Sequence, residues 1–373
     1  MLNYMEKLPD EIINEFAKRM NCVDDSVRFS AVCKLWQNSM AKIRKEKHIP
    51  FGPWLMLSTY NEDQGLQTFY DISREKIVNL PLPHNKVKER RCFGSQFGWL
   101  VTIGVDLHIH LLNPLSGIQI SLPSQPTFQH QYKIHVEPED LRHVFMTKFI
   151  LSSNPSDSDQ TCIVIAIHSE LRRLSFAKPG DEAWTYIESS YGGYQDAIFF
   201  RGQFYAINSK GVLVICEIDA PHPKTIDFAF PPEDIGIFGN RFYLIEMSGE
   251  LLLIERLFSS PTENASLGDF YYITEAFDIY KFDFHSSSWV DLYDLGDHAL
   301  FVGDNTSFSI STIDYPEFRR SCIYFTDDHR ELFENRFCDM GICDFKEGTI
   351  EPIYLGDHVL SMFSRPMFVM PTL

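Results

Sequence analysis

Residues 203–213 read Gln-Phe-Tyr-Ala-Ile-Asn-Ser-Lys-Gly-Val-Leu, and residues 241–251 read Arg-Phe-Tyr-Leu-Ile-Glu-Met-Ser-Gly-Glu-Leu. At a constant offset of 38, Phe204, Tyr205, Ile207, Gly211 and Leu213 meet Phe242, Tyr243, Ile245, Gly249 and Leu251, and Glu217 meets Glu255. Each copy is a short apolar run, a turn marked by glycine and a second apolar run, which is the pattern of a hairpin. A looser relative passes through Gly98-Trp99-Leu100, Leu107–Leu112 and Leu115-Ser116-Gly117-Ile118. Recurrence near 40 residues with aromatic and glycine markers fits the blades of a β-propeller.

The pattern extends in both directions. Comparable runs are Trp54–Ser58, Gln67–Ile72, Gly98–Ile103, Cys162–Ile167, Tyr280–Phe284, Leu300–Gly303 and Cys322–Thr326, with Trp184–Ile187 and Trp289–Tyr293 as outer strands. Asn113-Pro114, Lys178-Pro179-Gly180, Ser209-Lys210-Gly211 and Ser248-Gly249 separate them as turns. No helical pattern alternates with these runs, so a parallel βαβ sheet is excluded and residues 49–373 form an all-β body. Six blades are expected, with seven as the alternative and residues 124–143 and 259–270 as long loops. The composition agrees. Five Trp, 16 Tyr and 31 Phe favour half-buried pleated surfaces.

Charge divides the chain near residue 50. Residues 1–50 hold nine basic and seven acidic side chains, whereas the remainder holds 24 basic and 44 acidic ones within an overall net charge of −18. Such a body repels phosphate backbones, which argues against nucleic acid and anionic membranes as partners. No run of 18 apolar residues exists, since even Gly249–Phe258 contains Glu250, Glu255 and Arg256. The first residues lack a signal peptide's basic start and apolar centre. The eight cysteines form no Cys-x-x-Cys pair, so reduced thiols and a cytoplasmic or nuclear location are expected.

Residues 1–48 read as a separate helical unit. Leu8, Ile12, Ile13, Phe16, Ala17 and Met20 recur at helical spacing behind Pro9, a residue suited to a first turn. Asp24 or Asp25 caps an expected second helix through Val27, Ala31 and Val32, and a third apolar row runs through Val32, Trp36, Met40 and Ile43. Three short helices bury little surface alone, so the unit needs a partner.

Leu8-Pro9-Asp10-Glu11 followed by Val32-Cys33-Lys34-Leu35-Trp36 resembles an F-box, in which Leu-Pro-x-Glu precedes Val-Cys-Lys-x-Trp at this distance. Leu35 and Gln37 stand where Ser and Arg are usual. The resemblance implies docking on a Skp-type adaptor and, through it, on a cullin, with Leu8, Pro9, Ile12, Ile13, Phe16, Val32, Cys33 and Trp36 making or supporting the interface. Cys92-Phe93-Gly94-Ser95, Leu112-Asn113-Pro114, Leu300-Phe301-Val302-Gly303-Asp304-Asn305 and Cys322-Ile323-Tyr324-Phe325-Thr326-Asp327-Asp328 resemble the plant F-box-associated, kelch-like propeller family, whose ligand is unknown. The pair of resemblances implies a substrate receptor of a ubiquitin ligase. It would carry no catalytic residue and no cofactor, and its acidity would steer it to a target with a basic patch.

Enzyme chemistry has little support in the motifs. There is no Gly-x-Ser-x-Gly elbow, no phosphate loop and no Gly-x-Gly-x-x-Gly. His108 and His110 share a strand face, but the carboxylate that would complete a metal site does not follow. Cys338 and Cys343, near His329 and Asp339, lack a second ligand pair and read as free thiols. Asp327-Asp328 would point to opposite faces of a strand, so a turn role is expected. Asn264-Ala265-Ser266 and Asn305-Thr306-Ser307 are glycosylation sequons without an export signal. The competing classes are a scaffold that uses the propeller alone and a propeller enzyme with a metal or carboxylates in its channel.

Overall fold

The computed structural model describes residues 8–19, 29, 32–47, 52–61, 66–81, 90–157, 159–233, 235–236, 239–259, 273–328, 339–353 and 365–370. The expected middle helix, Met20, Cys22, His329, Cys338 and the sequon at Asn264 lie outside these residues. Two helices come first, α1 (Asp10–Arg19) and α2 (Lys34–Lys47). Pro9 opens α1, and its carbonyl accepts the Ile12 and Ile13 amides. Asp10 and Glu11 sit at the positive end of the helix dipole, Lys18 and Arg19 at the negative end.

Six sheets follow, in agreement with the expected blade number. Blade 1 contains β1 (Trp54–Asn61), β2 (Leu66–Asp71) and β3 (Lys76–Pro81). Blade 2 contains β4 (Arg91–Gly94), β5 (Leu100–Ile103), β6 (Ile109–Leu112) and β7 (Gln119–Leu122). Between blades 2 and 3 lie a 3-10 turn (Gln125–Thr127) and α3 (Pro138–Val144), so residues 124–143 are not the plain loop expected of them. Pro126 and Pro138 pre-set the first turns of these two elements.

Blade 3 contains β8 (Met146–Leu151), β9 (Val164–His168), β10 (Arg173–Ala177) and β11 (Thr185–Tyr186). Blade 4 contains β12 (Tyr194–Phe200), β13 (Gln203–Asn208), β14 (Leu213–Glu217) and β15 (Lys224–Ala229). Blade 5 contains β16 (Arg241–Met247), β17 (Glu250–Phe258), β18 (Thr274–Asp283) and β19 (Ser288–Asp291). Blade 6 has five strands, β20 (His298–Val302), β21 (Phe308–Ser311), β22 (Cys322–Phe325), β23 (Gly341–Asp344) and β24 (Thr349–Pro352). The ring closes when β25 (Met367–Val369) pairs antiparallel with β1 as the innermost strand of blade 1.

The 38-residue repeat does not mark the blade period. It superposes β13–β14, the second and third strands of blade 4, on β16–β17, the first and second strands of blade 5. Innermost strands begin at Arg91, Met146, Tyr194 and Arg241, a wider spacing than the repeat. The likeness arises because both hairpins are built from strands buried on both faces.

That two-sided burial produces the core. Leu251 and Leu253 pack toward blade 4, with Ile198 and Phe200. Their neighbours Leu252 and Ile254 pack toward blade 6, with Leu300 and Val302. The period of two along each strand therefore sorts alternate residues to alternate neighbours, and six apolar clusters each span two adjacent blades. A seventh belongs to the N-terminal helices. Trp184 adds a bond between blades by donating its indole N–H to the Pro123 carbonyl at 2.8 Å.

Candidate functional site

Two regions carry chemistry, the helical edge and the propeller axis. In the helical unit, Ile13 and Ala17 of α1 close on Trp36, Met40 and Ile43 of α2, with Phe29 set 4.4 Å from the Trp36 ring. Ile12 and Phe16, one turn apart on α1, are 43% and 50% exposed. The eight residues assigned to the adaptor interface therefore separate. Pro9, Ile12 and Phe16 are exposed, Leu8, Val32 and Cys33 are half-buried, and Ile13 and Trp36 belong to the core. Leu35 is also exposed, at 38%. An apolar residue where Ser is usual is a signal the sequence already carried.

At the axis the chain crosses its own channel. After β20, Gly303 (φ 147°) releases Asp304-Asn305-Thr306-Ser307, all buried. Asp304 pairs with Arg91 of blade 2, and the Thr306 amide bonds to the Gly94 carbonyl. The Thr306 hydroxyl donates to Phe149 of blade 3 at 2.9 Å. Ser307 reaches Asp196 of blade 4 at 3.4 Å, and Asn305 accepts from Phe368 of blade 1 at 3.4 Å. Just beyond, the Ser309 hydroxyl donates to the Glu246 carbonyl of blade 5. Four residues thus bridge the inner strands of four blades, and the channel is plugged by main chain. This crossing also explains the fifth strand, because β21 returns along the axis while β20 and β22 pair in parallel.

Asp196 is the hub of this plug. It is fully buried and accepts the Lys148 ammonium at 2.8 Å and the Ala197 and Leu244 amides at 2.8 and 3.0 Å. Burial pushes its carboxyl above the ordinary carboxylate range, and Lys148 and the two amides pull it back.

A second buried network corrects the sequence reading of Asp327-Asp328. Asp328 forms no simple turn, for it accepts Tyr243 and Arg256 at 3.0 and 3.2 Å. Arg256 also binds Asp339, whose carboxylate holds Thr274. Asp327 pairs elsewhere, with Arg365. Asn305 is itself wholly buried, so its sequon is closed in the fold.

The candidate metal ligands have other partners. His108 is exposed beside Asp106, and His110 Nδ1 lies 3.0 Å from the Arg90 guanidinium, a cation that disfavours a second positive charge. Cys343 is buried, and its thiol is pushed up to about 12, chiefly by desolvation. Among the described residues no three His, Cys, Asp or Glu side chains gather as a metal site, and no helix is long and apolar enough to cross a membrane.

A ring of six blades following N-terminal amphipathic helices defines a propeller protein with a helical N-terminal unit. The chain belongs to the KIB1-4 beta-propeller family, whose model matches residues 69–346. Its relatives include F-box protein SKIP23 of Arabidopsis thaliana, 26% identical over 96% of this chain and 93% of that one. Another is F-box protein At2g17036 of the same plant, 25% identical with the same coverage. The family match and these relatives mark the chain as a plant-type F-box protein with a β-propeller.

Proposed function

We propose that this protein is the substrate-recognition subunit of a Skp–cullin–F-box ubiquitin ligase, acting in the cytoplasm or nucleus. Residues 1–48 dock on the Skp-type adaptor and residues 49–373 hold a target protein. The observation that carries this reading is the exposure of Ile12 and Phe16 on a helix whose opposite face, Ile13 and Ala17, is already satisfied. An apolar pair left in water on so small a bundle is what a partner covers. The names of the relatives support the identity of that partner. No residue of this chain then needs to be a nucleophile or base, because the gain in rate comes from raised effective concentration of target and ubiquitin donor.

Purified chain is mixed with a Skp-type adaptor and the affinity is measured by calorimetry. Ile12→Asp and Phe16→Asp should each weaken binding by about 2 kcal/mol or more, roughly 30-fold, without moving the melting temperature. An adaptor that fails to bind the unaltered chain overturns the proposal and leaves a scaffold that uses the propeller alone.

A further inference from the structure

One mouth of the propeller axis holds a cavity of about 500 Å³ lined by Gln96, Phe97, Phe199, Arg201, Glu246 and Met370 among others. Its floor is the plug, at Ser307 and Phe308. Its walls come from the turns joining first and second strands in blades 2, 4 and 5, so the repeated strand order of the ring builds it. Most of its polar groups are committed. The Arg201 guanidinium donates to the Gly249 carbonyl at 2.6 Å and lies 4.8 Å from the ring centres of Phe200 and Phe284. Ser309 donates to the Glu246 carbonyl and Ser307 to Asp196.

Two groups remain. Among the described residues, Glu246 spends one carboxylate oxygen on the Gly249 amide at 2.6 Å and leaves the other open, and the Gln96 amide makes no bond. Arg201 and Glu246 balance in formal charge within the lining, so the sign of the site is set by its rim. In an antiparallel blade the third-to-fourth turn lies on the same side as the first-to-second turn. In blades 3 and 4 those turns add exposed Asp157, Asp159, Asp181, Glu182 and Asp219 against Lys178 and Arg201.

We infer that this mouth is the target-recognition pocket and that it takes a lysine or arginine side chain from a basic segment of a partner protein. The aliphatic stem packs on Phe97, Phe199 and Met370, the cationic head meets Glu246, and Gln96 accepts or donates to the partner's backbone. The acidic rim steers the approach. This inference rests on the reading of the chain as a substrate receptor.

A random dodecapeptide library displayed on phage is panned against the full chain, and selected peptides are titrated by fluorescence polarisation. Selected sequences should carry Lys or Arg. Glu246→Lys should weaken them at least tenfold and Gln96→Ala several-fold. Glu246 is exposed and Gln96 half-buried, and an unchanged melting temperature confirms that each variant is folded. No enrichment, enrichment of acidic or uncharged peptides, or affinity indifferent to Glu246→Lys overturns the pocket. Adaptor binding on the same preparation is scored separately, so a failed pocket and a failed receptor reading give different results.

Discussion

Replacing Lys148 by Met tests whether the hub at Asp196 holds the ring together. The side chains are similar in length, so the change removes charge more than volume. The Asp196 carboxylate would keep the Ala197 and Leu244 amides but lose the Lys148 cation, held at 2.8 Å in a site closed to water. Stripping one partner from a buried pair costs about 3–5 kcal/mol. With an unfolding entropy of about 2.1 cal/mol/K per residue over roughly 300 residues, that lowers the melting temperature by about 5–8 °C at pH 7.

The loss should depend on pH in a fixed direction. Burial already raises the Asp196 carboxyl, and without Lys148 the rise grows. A carboxyl whose folded pKa exceeds its unfolded value favours the folded state at low pH, and that benefit fades as pH climbs through the folded pKa. The gap between variant and wild type should therefore narrow from pH 7 to pH 5. Adding Asp196→Leu removes the buried charge but orphans two amides at about 1–3 kcal/mol each, so the double variant should keep a loss of similar size while losing its pH dependence. Scanning calorimetry of the three proteins at both pH values decides. A single variant that melts within about 1 °C of wild type, or a gap that does not change with pH, refutes the reasoning.

Three further outcomes are expected. Burial holds the His168 imidazole down to about 3, so only the unfolded chain takes up that proton as pH falls from about 6.5. Stability should drop through that window by up to about 1.4 kcal/mol per pH unit, and His168→Gln should flatten the urea-midpoint profile. At Gly303 (φ 147°) an added Cβ would run into the Thr326 hydroxyl, so Gly303→Val should cost about 2–4 kcal/mol, read as a lower melting temperature. Finally, thiol labelling of the native protein followed by mass spectrometry should find half-exposed Cys33 modified. Cys92 and Cys216, buried with thiols pushed up to about 12, should be protected.

The legible part of the fold was the part made of plain apolar strands. β5, β6, β9, β13, β14, β16 and β17 announce themselves because both their faces are greasy. The innermost strands β4, β8 and β12 did not, because Arg91, Lys148 and Asp196 interrupt their patterns. Those charges exist for partners in other blades, and no local window contains them. Closure by β25 was hidden for the same reason, since Met367–Val369 finds β1 only through the completed ring. At the helical site, spacing alone put Ile12, Ile13, Phe16 and Ala17 on one broad stripe. Which edge faces Trp36 and which faces water depends on the crossing of α1 over α2, so sequence could gather the residues but not divide core from surface.

The crossing at residues 304–307 also constrains how the molecule can change over generations. Propellers of other families vary in blade number because an open hub tolerates a wider circle. Here four consecutive residues must touch opposite rims at once, and that span fits one circumference. Inserting or deleting a blade would leave Asp304, Thr306 and Ser307 short of their partners or crowded against them. Blade count and hub segment are therefore coupled characters, and neither can alter without the other.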